Sequence, residues 1–156
     1  MRAWRRYSVS VEFRAPLAFA YRWCTDYTAE DGKYAREDKS IHLQRRIIER
    51  SRRRVVFENL YDSGRGWGWE RHVVTLLPPR RWHSVGRGNL HESVLDYSLL
   101  PISVRRTRLR MRWKSRPVDR GPRPSRQQVE RYVTQLWRRR ARFLEREYLR
   151  SLRSSG

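Results

Sequence analysis

Four histidines are the side chains of this sequence best suited to bind a metal ion or to transfer protons near neutral pH. They lie in different predicted strands: His42, His72, His83 and His91. Adjacent antiparallel strands could bring His72 and His83 together. A carboxylate such as Glu70 or Glu92 could complete a ligand set. No His-Glu-x-x-His motif and no paired cysteines support such a site, so we expect hydrogen-bonded or solvated histidines and no bound metal.

Motifs for nucleophilic catalysis and phosphate binding are also absent. The sequence has no G-x-S-x-G and no G-x-x-x-x-G-K-[ST]. The glycine-rich residues 64–68 lie between predicted strands with no helix after them, which is typical of a hairpin connection and not of a phosphate loop. Cys24 is predicted to be a small buried apolar residue. We therefore assign no catalytic residue and no cofactor, although a buried Glu, Asp or His could act as an acid or base.

Alternating cations mark the segment 104–114. Its apolar side chains, Leu109, Met111 and Trp113, alternate with basic ones, so a strand there would have one buried and one exposed face. Side chains two residues apart on a strand are separated by about 6.6–6.8 Å. The exposed face would carry a ladder of five cations: Arg106, Arg108, Arg110, Arg112 and Lys114. Such a ladder suits phosphate backbones better than base edges.

The composition supports a polyanion partner and a folded domain. The net charge is +21, with 37 basic against 16 acidic residues, and only Lys33, Lys39 and Lys114 are lysines. Charge of this size attracts nucleic acid or anionic membrane surfaces. Apolar residues make up only 38% of the chain, but seven Trp, eight Tyr and four Phe favour a packed core over disorder. We expect one domain over residues 1–156.

Single-cysteine usage and the N-terminal residues predict a cytoplasmic protein. Cys24 has no partner for a disulfide. Arg5-Arg6 is followed by alternating polar residues and not by the apolar stretch of a secretion signal. No run approaches 18 apolar residues, so we expect no transmembrane segment.

The elements that must position these residues follow from periodicity and turn chemistry. Residues 6–14 alternate cleanly as a half-buried strand, and Pro16 opens a short helix that ends near Thr25. The segment Thr28–Asp38 is interpreted as a second short helix or loop. Six further strands are predicted between Gly-, Pro- and Ser-containing turns: Ile41–Glu49, Arg53–Tyr61, Trp67–Leu77, Arg81–Asn89, Ser93–Leu100 and Val104–Lys114.

A long amphipathic helix is predicted at the end of the chain, after a Pro/Gly-rich linker over residues 116–124. Ser125 and Gln128 form a capping box at its start, and the apolar period continues to about Arg153. Arg140 and Glu147 fall near the middle of the apolar face. A guanidinium there is costly unless it is paired, reaches solvent or binds a ligand. Glu147, or Asp96 from a strand, could pair with Arg140.

This order of elements predicts an α+β fold, in which a strongly bent antiparallel sheet of seven strands wraps around the terminal helix. The opening Val-Ser-Val-Glu-Phe-Arg-Ala-Pro, followed by a helix ending Trp-Cys-Thr-Asp-Tyr, resembles the start of the SRPBCC superfamily. That superfamily has the helix-grip fold of START lipid-transfer domains and polyketide cyclases. The element order extends the resemblance over nearly the whole chain.

The resemblance implies a deep cavity between the terminal helix and the sheet, often occupied by a hydrophobic ligand, but no particular reaction. Arg140 is then the candidate polar anchor of a mostly apolar site. Filling of the core by the same aromatics is the alternative. The candidate ligand-binding residues are Trp23, Phe57, Tyr61, Tyr97, Trp113, Tyr132, Leu136, Arg140 and Phe143. In a helix-grip fold the last strand lies beside the first, so Arg6 and Arg14 would extend the cation ladder.

Two functions of different classes follow from these observations. The first is binding of a hydrophobic or amphipathic small molecule in the cavity, by a protein that is more a carrier than an enzyme. A cyclase- or aromatase-like activity rests on the resemblance alone. The second is a basic structural protein that binds RNA or the ribosome through the ladder, and attachment to an anionic membrane surface draws on the same charges.

Overall fold

A computed structural model of the chain describes residues 2–29, 44–62 and 66–156. The predicted second short helix over Thr28–Asp38 falls almost entirely outside these residues, as does His42. No helix in the described ranges is both long and apolar enough to cross a membrane.

The described elements are seven strands and two helices. In chain order they are β1 (Arg5–Phe13), α1 (Leu17–Thr25), β2 (Gln44–Arg50), β3 (Arg54–Asp62), β4 (Trp67–Leu77), β5 (Arg81–Gly88), β6 (His91–Ser103), β7 (Arg106–Pro117) and α2 (Arg126–Ser154). The strands form one antiparallel sheet in the order β1-β7-β6-β5-β4-β3-β2. The predicted α+β helix-grip architecture is confirmed, and the linker to α2 is shorter than predicted because β7 continues to Pro117.

The inner face of the sheet carries the core. On β1, Tyr7, Val9, Val11 and Phe13 are buried and the residues between them are exposed. On β7, Leu109, Met111 and Trp113 are buried, as the alternation of the sequence predicts. The pairing of Val9 with Met111 and of Tyr7 with Trp113 aligns the two buried rows, so the first and last strands form one apolar surface.

Helix α2 packs on this inner face. Its capping box is formed: the Ser125 hydroxyl accepts a hydrogen bond from the Gln128 backbone N–H at 3.1 Å, and the Gln128 side chain accepts one from the Ser125 N–H at 2.8 Å. Trp137, Ala141 and Leu144 are its buried residues. Burial of this stripe supplies most of the stability of a helix that would be marginal alone.

The outer edge of β1 is also protected by α2. Glu130 accepts a hydrogen bond from the Ser8 backbone N–H at 2.9 Å, and Glu145 accepts one from the Arg14 N–H at 3.0 Å. An edge strand has free backbone donors that can pair with another chain. Two carboxylates of α2 therefore accept hydrogen bonds from backbone N–H groups at this edge and hold the helix along it.

Candidate functional site

A cavity of about 210 Å³ lies between α1, the inner face of β2–β6 and the middle of α2. Its lining is divided between aromatic and polar side chains. The aromatic residues are Trp23, Tyr27, Phe57, Trp82, Tyr97 and Trp137. The polar residues are Asp26, Gln44, Arg45, Asn59, Glu70, His72, Ser84 and Arg140, with Cys24 and Ala29 completing the wall.

Stacked rings form the aromatic walls. Trp82 and Tyr97, on the paired strands β5 and β6, lie nearly parallel with their ring centroids 4.7 Å apart. Phe57 is stacked between Tyr27, at 5.1 Å, and the imidazole of His72, at 5.0 Å. Such contacts hold the rings in place and leave flat apolar surfaces towards the cavity. Burial, opposed by the charge of Arg140, raises the pKa of Tyr97 to about 12, so its hydroxyl stays protonated.

A buried carboxylate organises the polar part of the cavity. Glu70 is only 7% exposed. Its Oε1 lies 3.1 Å from Nε2 of His72 and accepts a hydrogen bond from the Asn59 amide at 3.2 Å. Its Oε2 lies 3.2 Å from Nε2 of His91. A buried carboxylate with this many donors is compensated for the loss of water.

The hydrogen bonds determine the charge of Glu70. Burial alone would raise the pKa of its carboxyl group, but the donors of His72 and His91 outweigh this and hold the pKa well below its usual value. The reciprocal contact with Glu70 raises the pKa of His91, against the effect of its partial burial. Glu70 is therefore an anion at neutral pH, and its negative charge favours the protonated form of His91.

Two guanidinium groups complete the polar wall. Arg45 donates from Nε to the Asn59 side-chain oxygen at 2.9 Å, and its guanidinium carbon lies 4.2 Å from the centroid of Phe57. The guanidinium of Arg140 lies 4.9 Å from the ring centroid of Trp137. Each cation is thus held over an aromatic face beside the cavity.

A glycine on the neighbouring strand provides space for His72. Gly86 of β5 is paired with His72. A Cβ atom at this position would lie 2.7 Å from Cε1 of His72 and 2.6 Å from Oγ of Ser93. Any larger residue would displace the imidazole, so Gly86 belongs to the architecture of the site.

Solved structures share this arrangement of sheet and terminal helix. The aromatase/cyclase Zhui from Streptomyces sp. R1128 matches with a TM-score of 0.66 at 14% identity, covering 99% of each chain. A START superfamily protein from Mycobacterium smegmatis matches with a TM-score of 0.65 at 16% identity, over 93% of this chain and 97% of its own. The chain has the START-like helix-grip fold. The protein Ara h 8.0201 matches at 10% identity with a TM-score of 0.66, over 91% of this chain and 98% of its own.

Sequence comparison adds no family to this structural likeness. No protein-family model matches the chain, and no curated protein does. At these low identities the neighbours establish the START-like fold alone.

Some of the predicted ligand-binding residues line the cavity of this chain. Trp23, Phe57, Tyr97 and Arg140 line it. Leu136 is half-buried and lies outside the lining. Tyr61 is buried next to the cavity, where its ring occupies the space over Gly68.

Three other predicted aromatic residues do not line the cavity. Trp113 is stacked on Tyr7 with centroids 5.0 Å apart, so it fills the core between β1 and β7. Tyr132 is 44% exposed on α2, because its position in the helical period faces solvent. Phe143 packs under the guanidinium of Arg146. The cavity lies towards β3–β5, away from Trp113 and Tyr132.

Sequence reasoning missed most of the polar lining. Asn59, Glu70, His72 and Ser84 are absent from the predicted ligand site, although Glu70 and His72 are among the possible metal ligands. The sequence signal for these residues is a polar side chain at a position where strand alternation predicts an inward one. Asn59 lies two positions after the inward Phe57, and Ser84 lies two positions after the inward Trp82. A polar residue on a buried row is costly unless a partner or ligand satisfies it.

The sheet does not bring His72 and His83 together. These residues lie on opposite faces of the sheet, because His72 is paired with Gly86 while His83 is paired with Thr75. His83 contacts Asp96 at 2.7 Å on the outer face, which also removes Asp96 as a partner of Arg140. Glu147 accepts a hydrogen bond from the Trp23 indole at 3.0 Å. Among the residues the structure describes, no three side chains are arranged to hold a metal ion.

The outer face of β1 and β7 carries the cation ladder. Arg6 is paired with Lys114, and Arg110 and Arg112 are opposite serines of β1. Glu12 interrupts the ladder at one end, where it forms ion pairs with Arg106 and, at 3.0 Å, with Arg108. These hydrogen bonds lower the pKa of Glu12. Arg14 follows the end of β1 and does not share its register.

Proposed function

We propose that this START-like domain binds a small amphipathic molecule with an aromatic ring system in the cavity between the sheet and α2. The observation that carries the proposal is the grouping of six aromatic side chains and the buried anion Glu70 around one space of about 210 Å³. Pockets with mainly apolar walls and a few convergent polar groups are the usual sites of small ligands. The fold of one neighbour, named an aromatase/cyclase, is consistent with such a role.

The size of the cavity limits the ligand. An engineered apolar cavity of about 150 Å³ accepts benzene in another protein. A volume of about 210 Å³ therefore suits a compact ligand of one or two rings better than a long lipid chain. The parallel Trp82–Tyr97 pair presents a flat wall that favours a planar molecule.

The polar wall specifies what the ligand carries at its edge. Arg45 and Arg140 favour a partial or full negative charge, such as a keto, phenolate or carboxylate oxygen. Glu70 and His72 favour a hydroxyl group that can donate a hydrogen bond. A planar molecule with oxygen substituents satisfies both.

The proposal is tested by titrating the protein with 1-naphthol and 1-naphthoate while the tryptophan fluorescence is recorded. We expect saturable quenching by both, because Trp23, Trp82 and Trp137 line the cavity. Phe57→Leu should weaken binding about five- to tenfold through the lost ring contacts. Phe143→Leu is the matched control on α2 and should leave the affinity unchanged. Absence of saturable binding, or equal effects of both variants, would contradict the proposal.

Arg140 distinguishes the two probes. Arg140→Leu should weaken 1-naphthoate much more than 1-naphthol, because only the carboxylate gains a charge-assisted contact with the guanidinium. Equal affinities of the variant and the parent protein for 1-naphthoate would exclude Arg140 as the polar anchor.

A second candidate function is supported by the exposed cation ladder. Arg6, Arg110, Arg112 and Lys114 lie on one face of two paired strands. Within the described residues, Arg110 and Arg112 form no ion pair with a carboxylate. Regularly spaced cations of this kind suit the phosphates of structured RNA.

The test of RNA binding uses two variants with the same loss of charge. The first replaces Arg106, Arg108, Arg110 and Arg112 with Ser, and the second replaces Arg138, Arg142, Arg146 and Arg150 on the exposed side of α2. Under this function, the affinity for an RNA hairpin and its dependence on salt should fall in the first variant far more than in the second. Equal losses would indicate unspecific attraction by net charge, and would leave the ligand-binding proposal unaffected.

A further inference from the structure

Three polar side chains of the cavity form a continuous hydrogen-bonded chain across two strands. Ser84 Oγ lies 3.1 Å from Nδ1 of His72, and Nε2 of the same imidazole lies 3.1 Å from Oε1 of Glu70. All three residues line the cavity. Ser84 and Glu70 are only 3% and 7% exposed, so the chain is shielded from bulk water except through the cavity.

The chemistry of Glu70 decides the direction of this chain. An ionised carboxylate can only accept hydrogen bonds, so Nε2 of His72 must carry the proton that faces Glu70. When the ring carries only this proton, Nδ1 has a free lone pair. The neighbouring Ser84 hydroxyl therefore donates to Nδ1, which is the arrangement in which an imidazole can remove the serine proton.

We propose that the cavity is an acyl-transfer site that hydrolyses small aryl esters, with Ser84 as the nucleophile and His72 as the general base. Nucleophile, base and orienting carboxylate are recognised by geometry and role and not by their order in the chain. The inference rests on the proposed ligand-binding function and uses the same cavity, but it adds a covalent step that simple binding does not require.

The reaction proceeds in two balanced steps. In the first, Ser84 Oγ attacks the carbonyl carbon of the ester while its proton passes to Nδ1 of His72. The carbon–oxygen bond to the aryl group breaks, and the aryl oxygen leaves as a phenol with that proton. In the second, water adds to the acyl-serine and gives its proton to His72, and the bond to Ser84 Oγ breaks as the proton returns to it. The products are a phenol and a carboxylic acid.

The surroundings of the chain support this role. Arg45 and Arg140 line the same cavity, and their charge stabilises an oxygen that becomes negative during the attack. The aromatic walls accommodate the aryl group of the ester. Glu70 acts as a positioning residue that holds the tautomer of His72. Asn59 and His91 in turn hold Glu70.

The experiment uses 1-naphthyl acetate, whose hydrolysis releases fluorescent 1-naphthol. We expect saturable turnover by the full chain and an acetyl group on Ser84, detected by peptide mass spectrometry after rapid acid quenching. Ser84→Ala should lower kcat/KM by about 100-fold or more while binding of 1-naphthol is retained. Ser93→Ala removes a buried serine of the adjacent strand that does not line the cavity, and should leave turnover unchanged.

The positioning role of Glu70 has its own readout. Glu70→Gln offers an amide that can donate to Nε2, so the imidazole proton moves to Nδ1 and the base is lost. We expect kcat to fall with little change of KM, whereas a mere loss of packing would weaken binding as well.

Each outcome separates the two proposals. Binding of 1-naphthol without hydrolysis of its acetate overturns the acyl-transfer inference and leaves ligand binding intact. Turnover that persists in Ser84→Ala, or acetylation confined to other residues, also overturns it. Trapping acetyl-Ser84 in the unmodified protein supports it without relying on the folding of any variant. Failure to bind 1-naphthol at all contradicts the proposed function itself.

Discussion

Leu144 is one of the buried side chains by which α2 joins the core. It is fully buried, whereas Leu149, further along the same helix, is 54% exposed. Leu144→Ala should reduce the free energy of unfolding by about 3 kcal/mol, through lost transfer energy and the cavity that remains. Urea denaturation measures this loss, and Leu149→Ala is the control, expected to cost less than about 0.5 kcal/mol. Similar losses in both variants would contradict the packing of α2.

His91 should make the stability depend on pH. Its pKa is raised in the folded state by Glu70, with a smaller contribution from Asp119, so the folded protein binds its proton more tightly than the unfolded chain does. The stabilisation is therefore complete below the pKa of about 6.5 of an unfolded histidine and is lost as the pH rises through the raised value.

The measurement compares the unfolding free energy of the parent protein with that of His91→Gln at several pH values. The amide introduced by this substitution can donate to Glu70 but cannot take up a proton. The difference between the two proteins should be largest in mildly acidic solution and should shrink towards alkaline pH. Parallel curves would show that the contact with Glu70 does not couple to protonation.

At the scale of elements, the start of α2 depends on Ser125. Its hydroxyl accepts the Gln128 N–H, one of the helix donors that no carbonyl within the helix can reach. Ser125→Ala should cost about 1 kcal/mol. Ser154→Ala, in the exposed last turn, is the matched control and should change the stability by much less. Equal effects in thermal or urea unfolding would argue against a specific cap.

The pairing of β1 with β7 brings the first and last strands of the chain side by side. Thr107 of β7 is fully buried, and its hydroxyl donates to the Ala15 carbonyl at 2.8 Å. This hydrogen bond joins the turn after β1 to the start of β7, which are 92 residues apart in sequence. The position of the first strand in the sheet is thus fixed by the last strand of the chain.

At the scale of the whole molecule, charge opposes compactness. A net charge of +21 on 156 residues repels itself, and salt screens this repulsion over about 10 Å at 0.1 M. The melting temperature should therefore rise by several degrees from about 0.02 M to about 0.5 M NaCl. A variant with Ser in place of Arg138, Arg142, Arg146 and Arg150 should show a smaller rise. A melting temperature that falls with salt would mean that surface ion pairs outweigh the repulsion.

The sequence by itself determined the elements and their faces. Alternation in β1 and β7 specified which side chains are buried, because a strand side chain has only two directions. The capping box specified the start of α2 within one residue, since only a few side chains can satisfy helix donors. Short turn-containing connections between the strands predicted an antiparallel sheet, and that prediction is confirmed.

Only the tertiary structure decided which inward side chains meet an open space. Trp113 and Trp82 both point inwards, yet Trp113 is covered by Tyr7 while Trp82 lines the cavity. Ser84, His72 and Glu70 come together because the register of β4 and β5 aligns their positions, and Gly86 leaves room for the imidazole. Alternation is a local property of each strand, whereas register and helix placement are set by packing of the whole chain.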